Sequence, residues 1–229
     1  MFTKENRFLK KFDFILLITT VVLVFYGLFM IKSATMSFTS GSFPYLKTQS
    51  LAFILGACAV VVLVLIDYEI YGYFYIPIYI LSNLLLLAVL FFGFGADQWG
   101  ASNWLRIGPI SFQPSEIAKF GVIISLAKYI DKNHEKINEP VTLIKILIFA
   151  FIPVFLILMQ PDLGTALVFI FFIAIMIFTA GLSYKYIVPT IIIIIALIVL
   201  GLILLPIITN GYTISDNYQL NRIIIFLNP

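Results

Sequence analysis

The sequence predicts an all-α, polytopic membrane helix bundle, and three observations carry that prediction. Apolar residues make up 62% of the 229-residue chain and charged residues only 11%, whereas soluble domains carry about 25% charged residues. Mean hydropathy is +1.11. Several apolar stretches approach the roughly 20 residues needed to cross a bilayer. The net charge of +3 is small and the lysines cluster at helix ends, which argues against a nucleic-acid partner.

Seven spans are expected in one membrane domain, at about 13–32, 49–66, 73–95, 114–130, 141–159, 163–181 and 186–208. The first follows Lys4, Arg7, Lys10 and Lys11, with Asp13 at its inner end. Its apolar run exceeds a signal-peptide core and no small-x-small cleavage pattern follows, so it reads as an uncleaved span. The fourth is the weakest by hydropathy, because it contains Glu116, Lys119 and Lys128. The sixth is continuously apolar from Gly164 to Ala180. The seventh holds the run Ile191 to Ile195, with Pro189 and Pro206 near its ends, where they cost little. Beyond it, Ile223 to Phe226 is too short to span and is expected along the outer interface. No basic cluster marks a stop, so the chain is expected to be cut off at Pro229.

Orientation follows from the Lys/Arg asymmetry. With the N-terminus in the cytoplasm, the inner side receives Lys4, Arg7, Lys10, Lys11, Lys128, Lys132, Lys136, Lys145 and Lys185. The outer side receives only Lys32, Lys47, Arg106, Lys119 and Arg222. The fourth and sixth spans then run from outside to inside.

Both of those spans open on the same dipeptide, Gln113-Pro114-Ser115-Glu116 and Gln160-Pro161-Asp162-Leu163. Proline suits a first helical turn, and Ser115 and Asp162 are expected to accept bonds from free N–H groups there. Helix N-termini attract phosphates, so a phosphorylated ligand is expected, with Lys47, Arg106 or Lys119 as counter-charges. Glu116 and Lys119 share one helix face. They read either as a pair locking the span to its neighbours or as a polar wall of an external cavity, and the two are compatible. Asp162, with Thr165 three residues on, is also explained by capping alone. A divalent cation bridging the acids is the one cofactor left open, although no metal-ligand spacing is present. Trp99 and Trp104 fit interfacial anchors. Cys58 fits packing, His134 a solvated loop, and Lys32 and Lys47 can snorkel. The chain has no Ser-His-Asp set, Cys-His pair or HExxH.

Gly100-Ala101-Ser102-Asn103-Trp104-Leu105-Arg106-Ile107-Gly108 followed by Gln113 to Lys119 resembles the SEDS family (shape, elongation, division and sporulation), typified by RodA and FtsW. Gln160 to Ala166 resembles its second signature, and Asn217-Tyr218-Gln219 through Pro229 resembles the opening of its large external loop. The resemblance implies that these seven helices belong to a longer SEDS-type bundle in the bacterial cytoplasmic membrane. It implies a glycosyltransferase that polymerises lipid II into peptidoglycan strands during growth and division. A class B penicillin-binding protein is the implied partner. Lys47, Trp104, Arg106, Gln113, Ser115, Glu116, Lys119, Gln160, Asp162 and Thr165 are the implied cavity residues. The family's catalytic aspartate is expected beyond Pro229, so the segment alone is expected to be inactive. Asn103, where division-type members often carry a basic residue, and the Asn-Tyr-Gln segment favour a RodA-like elongation member. Two other classes compete: a lipid II transporter, which the lack of an inverted repeat disfavours, and a non-catalytic scaffold of the same machinery.

Overall fold

The computed structural model describes residues 13–36, 43–95, 101–108 and 110–208, which form eight α-helices and one strand pair. The basic residues before Asp13, Trp99 and Gly100, and the segment 209–229 with its expected loop and interfacial patch lie outside the described residues. The chain divides into two compact units, Met1–Asp67 and Tyr68–Pro229.

The first unit contains α1 (Phe14–Thr35) and α2 (Phe43–Leu65). Asp13 caps α1, its carboxylate accepting from the Leu16 N–H at 2.9 Å. Neither helix buries a residue, and the Phe25 and Phe53 rings meet edge-on at 6.5 Å. An apolar surface on all sides suits lipid as the solvent. The second helix begins at Phe43 rather than near residue 49, since Pro44 fits a first turn. Lys47 is therefore a helical residue and not part of a loop.

The second unit opens with a short helix, α3 (Tyr68–Tyr73), ahead of α4 (Tyr75–Phe92). The expected third span corresponds to α4, and the short helix ahead of it, with Glu69 in its favourable first turn, was not expected. Strands β1 (Leu105–Ile107) and β2 (Ile110–Phe112) form an antiparallel hairpin, which an all-helical reading did not anticipate. After it come α5 (Pro114–Asn133), a 3₁₀ turn (His134–Lys136), α6 (Pro140–Leu158), α7 (Leu163–Thr179) and α8 (Tyr184–Ile208). By length and composition α1, α2, α4 and α6 can each cross a membrane.

Of these elements, α5 touches α3, α4, α6 and α7. Between helices in lipid there is little hydrophobic gain, so close packing of small residues and internal hydrogen bonds hold the contact. The α5 face toward α4 meets that need. A Cβ on Gly121 would fall well inside the contact distance of Ser82 Oγ and 3.2 Å from an Ile78 methyl. One turn on, the Ser125 hydroxyl reaches the Tyr75 carbonyl at 2.8 Å and the Gly121 carbonyl at 2.7 Å. The hydropathy weakness of this span comes from charges near its ends, while its middle is buried.

Helices α6 and α7 present Ile146, Ala150, Val154 and Ile157, and Ala166, Phe169, Ile173 and Ile177, to the same core. These positions recur every three or four residues, as one face of a helix requires. Pro153 lies inside α6 and is buried. It lacks the N–H that would bond the carbonyl four residues back, that of Phe149. The Tyr79 hydroxyl of α4 donates to that carbonyl at 2.7 Å, and the Tyr79 and Phe149 rings stack at 3.8 Å. Tyr129 of α5 stacks on Phe149 at 4.6 Å. At the opposite end of α7, Gly181 turns the chain with φ +90°. Asn138 secures that turn, donating to the Gly181 carbonyl at 3.2 Å and accepting from the Ser183 N–H at 2.7 Å.

Candidate functional site

The polar site is assembled by the chain between α4 and α5. Gly93 ends α4, its N–H bonding the Val89 carbonyl at 2.7 Å. Any Cβ here would collide with the carbonyls of Val89 and Ser102, so only glycine allows the close approach. Phe94 then pairs with Trp104 through both backbone bonds, 2.9 and 3.3 Å. The hairpin follows in the register Leu105↔Phe112, Arg106↔Ser111 and Ile107↔Ile110, and delivers the chain to Gln113.

Gln113 is the N-cap of α5 and Asp162 the N-cap of α7. The two caps bond each other: Gln113 Nε2 donates to Asp162 Oδ2 at 3.2 Å. Asn103 Nδ2 donates to the same oxygen. Thr165 completes the set, its N–H reaching Oδ1 at 3.0 Å and its hydroxyl reaching Oδ2 at 2.7 Å. A carboxylate offers about four acceptor sites; three of these donors share Oδ2 and one takes Oδ1. Residues 59, 49 and 3 positions away in sequence meet on one side chain.

The two Gln-Pro copies differ in detail. Pro114 occupies the first turn of α5 as expected. Pro161 does not, because α7 begins at Leu163 after the Asp162 cap. Ser115 was expected to accept from free N–H groups; instead it is buried, and its hydroxyl has no partner among the described residues. Its place inside the first turn, beyond the Gln113 cap, turns it into the bundle. Gln160 is also buried and donates to the Leu86 carbonyl of α4 at 3.0 Å, while its Oε1 has no partner among the described residues. Asn103 Oδ1 is in the same condition. Buried polar atoms are costly when unpaired, and three of them fall in signature residues, which makes the interior of the paired helix starts polar.

Glu116 and Lys119 face outward from this cluster. The Lys119 ammonium bonds both carboxylate oxygens of Glu116, at 2.9 and 3.0 Å. The pair is neutral, and two of the three ammonium N–H groups of Lys119 are taken by Glu116. Arg106 is exposed on the hairpin, 4.7 Å above the Phe94 ring, with its Nε 3.4 Å from Ser111 Oγ. Trp104 is half-buried beside it. Lys47 is an exposed residue of α2 and belongs to the first unit. Among the described residues, no group of three or more His, Cys, Asp or Glu side chains could hold a metal ion. The sequence motif did not reveal Asn103 as a partner of Asp162, since no local spacing links residues so far apart.

A multi-pass helical membrane bundle whose two signature helix starts are tied cap to cap defines a class. The chain belongs to the FtsW/RodA/SpoVE family of cell cycle proteins, whose model matches residues 14–229. It is 33% identical over 233 residues to the probable peptidoglycan glycosyltransferase FtsW of Geobacter metallireducens, covering 96% of this chain and 57% of that protein. The corresponding FtsW of Trichlorobacter lovleyi is 30% identical, with 96% and 56% covered. The chain therefore spans little more than half the length of these relatives. Among solved structures, a chain of a peptidoglycan synthase complex that coordinates polymerization and crosslinking matches with a TM-score of 0.71 and 28% identity, covering 96% of this chain and 60% of that one. The rod shape determining protein RodA of Thermus thermophilus matches with a TM-score of 0.61 and 28% identity, covering 78% and 58%.

Proposed function

We propose that this chain supplies the lipid-substrate side of a peptidoglycan glycosyltransferase that polymerises lipid II at the outer face of the bacterial cytoplasmic membrane. In that reaction an acceptor sugar hydroxyl attacks the donor's anomeric carbon, and undecaprenyl diphosphate leaves. One observation carries the reading: the N-cap of α5 bonds the N-cap of α7, so two helix N-termini converge. Each contributes about half a positive charge and free N–H groups. A leaving diphosphate gains most from such fixed donors, because its charge grows in the transition state.

The same geometry argues against Asp162 or Glu116 as the base. Asp162 is tied down as a cap by Asn103, Gln113 and Thr165, and Glu116 is held by Lys119. Both are supporting residues on this reading, with Trp104, Arg106, Ser115 and Gln160 around them. The likeness to a synthase complex supports a class B penicillin-binding protein as the cross-linking partner. The charge asymmetry supports a cytoplasmic N-terminus. Asn103 supports an elongation-type role.

The test is to reconstitute the full-length gene product with lipid II and separate the products. Glycan polymer is the expected result. Lipid II movement between leaflets without polymer would replace the enzyme by a transporter, and neither movement nor polymer would leave a scaffold. Repeating the reaction in EDTA decides whether a divalent cation takes part.

A further inference from the structure

The far end of α5 carries a second site. The helix has 20 residues, which places its two ends about 28 Å apart, close to the thickness of a bilayer core. At its C-terminal end a cavity of about 830 Å³ opens between α3 and α5. Its charged lining is balanced: Lys128 and Lys132 against Glu69 and Asp131. Tyr71, Tyr73 and the neighbouring Tyr75 surround it, and tyrosine is the residue of the membrane–water boundary. Ile124, one turn deeper on α5, gives the cavity an apolar floor.

We propose that this cavity binds the headgroup of a zwitterionic, amine-bearing phospholipid of the ethanolamine type. A plain basic site would favour an anionic lipid, but here two carboxylates would repel it. A phosphate next to an ammonium matches two lysines next to two acids. Lys128 and Lys132 lie four residues apart on one face of α5, which lets both reach one phosphate. Lys132 is already held, its ammonium 4.4 Å from the Tyr75 ring centre and 3.3 Å from the Tyr75 hydroxyl. Lys128 bonds Asp131 at 2.7 Å. That pair is exposed, so opening it to admit a phosphate on one side and an ammonium on the other costs little. The ammonium N–H groups then donate to Asp131 and Glu69, which a trimethylated headgroup cannot do. Acyl chains leave along the Ile124 face into the bilayer.

Native mass spectrometry of the purified protein tests this, with phosphatidylethanolamine, phosphatidylglycerol and phosphatidylcholine of identical acyl chains competing at equal concentration. The expected result is retention of phosphatidylethanolamine over each competitor by about two- to fivefold, the scale of exposed charge pairs. The double variant Glu69→Gln, Asp131→Asn is expected to lose that preference. Gly72→Phe fills the cavity and keeps all four charges, so it is expected to lower retention of the same lipid. Preference for phosphatidylglycerol, no preference, or a preference that survives both variants overturns the proposal.

Discussion

Asp162 serves two helices at once, as the cap of its own and the acceptor for the cap of another. Asp162→Ala removes the N-cap of α7 and leaves two amide donors unpaired, so a loss of about 1–2 kcal/mol is expected, read as a lowered Tm in detergent. Asp162→Asn keeps a capping oxygen but sets a third amide against Asn103 and Gln113, and is expected to fall between wild type and alanine. An unchanged Tm in both would remove the cap-to-cap bond from the account. Asn103→Arg places a guanidinium against the Asp162 carboxylate; a raised Tm is expected, because charge-assisted bonds are stronger than amide bonds. Glu116→Gln contrasts with these. Its carboxylate is 57% exposed and its lysine partner 24% exposed, so stability is expected to shift by less than about 1 kcal/mol. A large loss of polymer yield in the full-length protein with that small shift would assign the pair to substrate handling. At this scale the sequence showed Asp162 and Thr165 as a cap because the bond is local. It could not show Asn103 and Gln113 on the same carboxylate, which only the tertiary fold brings near.

Among the elements, α5 is the one that hydropathy undervalued and packing depends on. Its charges sit within about one and a half turns of its ends, and Ala118, Gly121, Val122 and Ser125 are buried on its inner face. Gly121→Ala drives a methyl into Ser82 and Ile78, so a cost of about 1–3 kcal/mol is expected, measured as lost thermal stability in detergent. Adding Ser82→Ala removes the nearest atom and is expected to restore part of the loss. Failure of that rescue would mean that α4 and α5 separate elsewhere. The helix positions were legible because each apolar run is long and bounded by charged or turn residues. The hairpin was less so: its strands are three residues each, too short for a strand period to stand out in the connection between two spans. The apolar–polar–apolar alternation on either side of a glycine was the available signal. The short helix α3 had no comparable mark, as its six residues are too few to show a helical period.

For the whole molecule, bundle class and family follow from composition and two short motifs, while the chemistry depends on what those motifs leave free. Asp162 and Glu116 are both engaged by partners, and residues 1–229 expressed alone are expected to make no polymer from lipid II. Polymer from that segment would refute this and place the base among its own residues. The bond from Tyr79 to the carbonyl that Pro153 leaves unclaimed bears on how the bundle moves. Sliding α4 along α6 by even one residue, a rise of about 1.5 Å, would strand that carbonyl and unstack both rings. Tilting about the stack does neither. The proline thus acts as a detent: it forbids piston strokes between these two rods and leaves pivoting as the cheap motion, so any opening of the bundle here should resemble a hinge and not a slide.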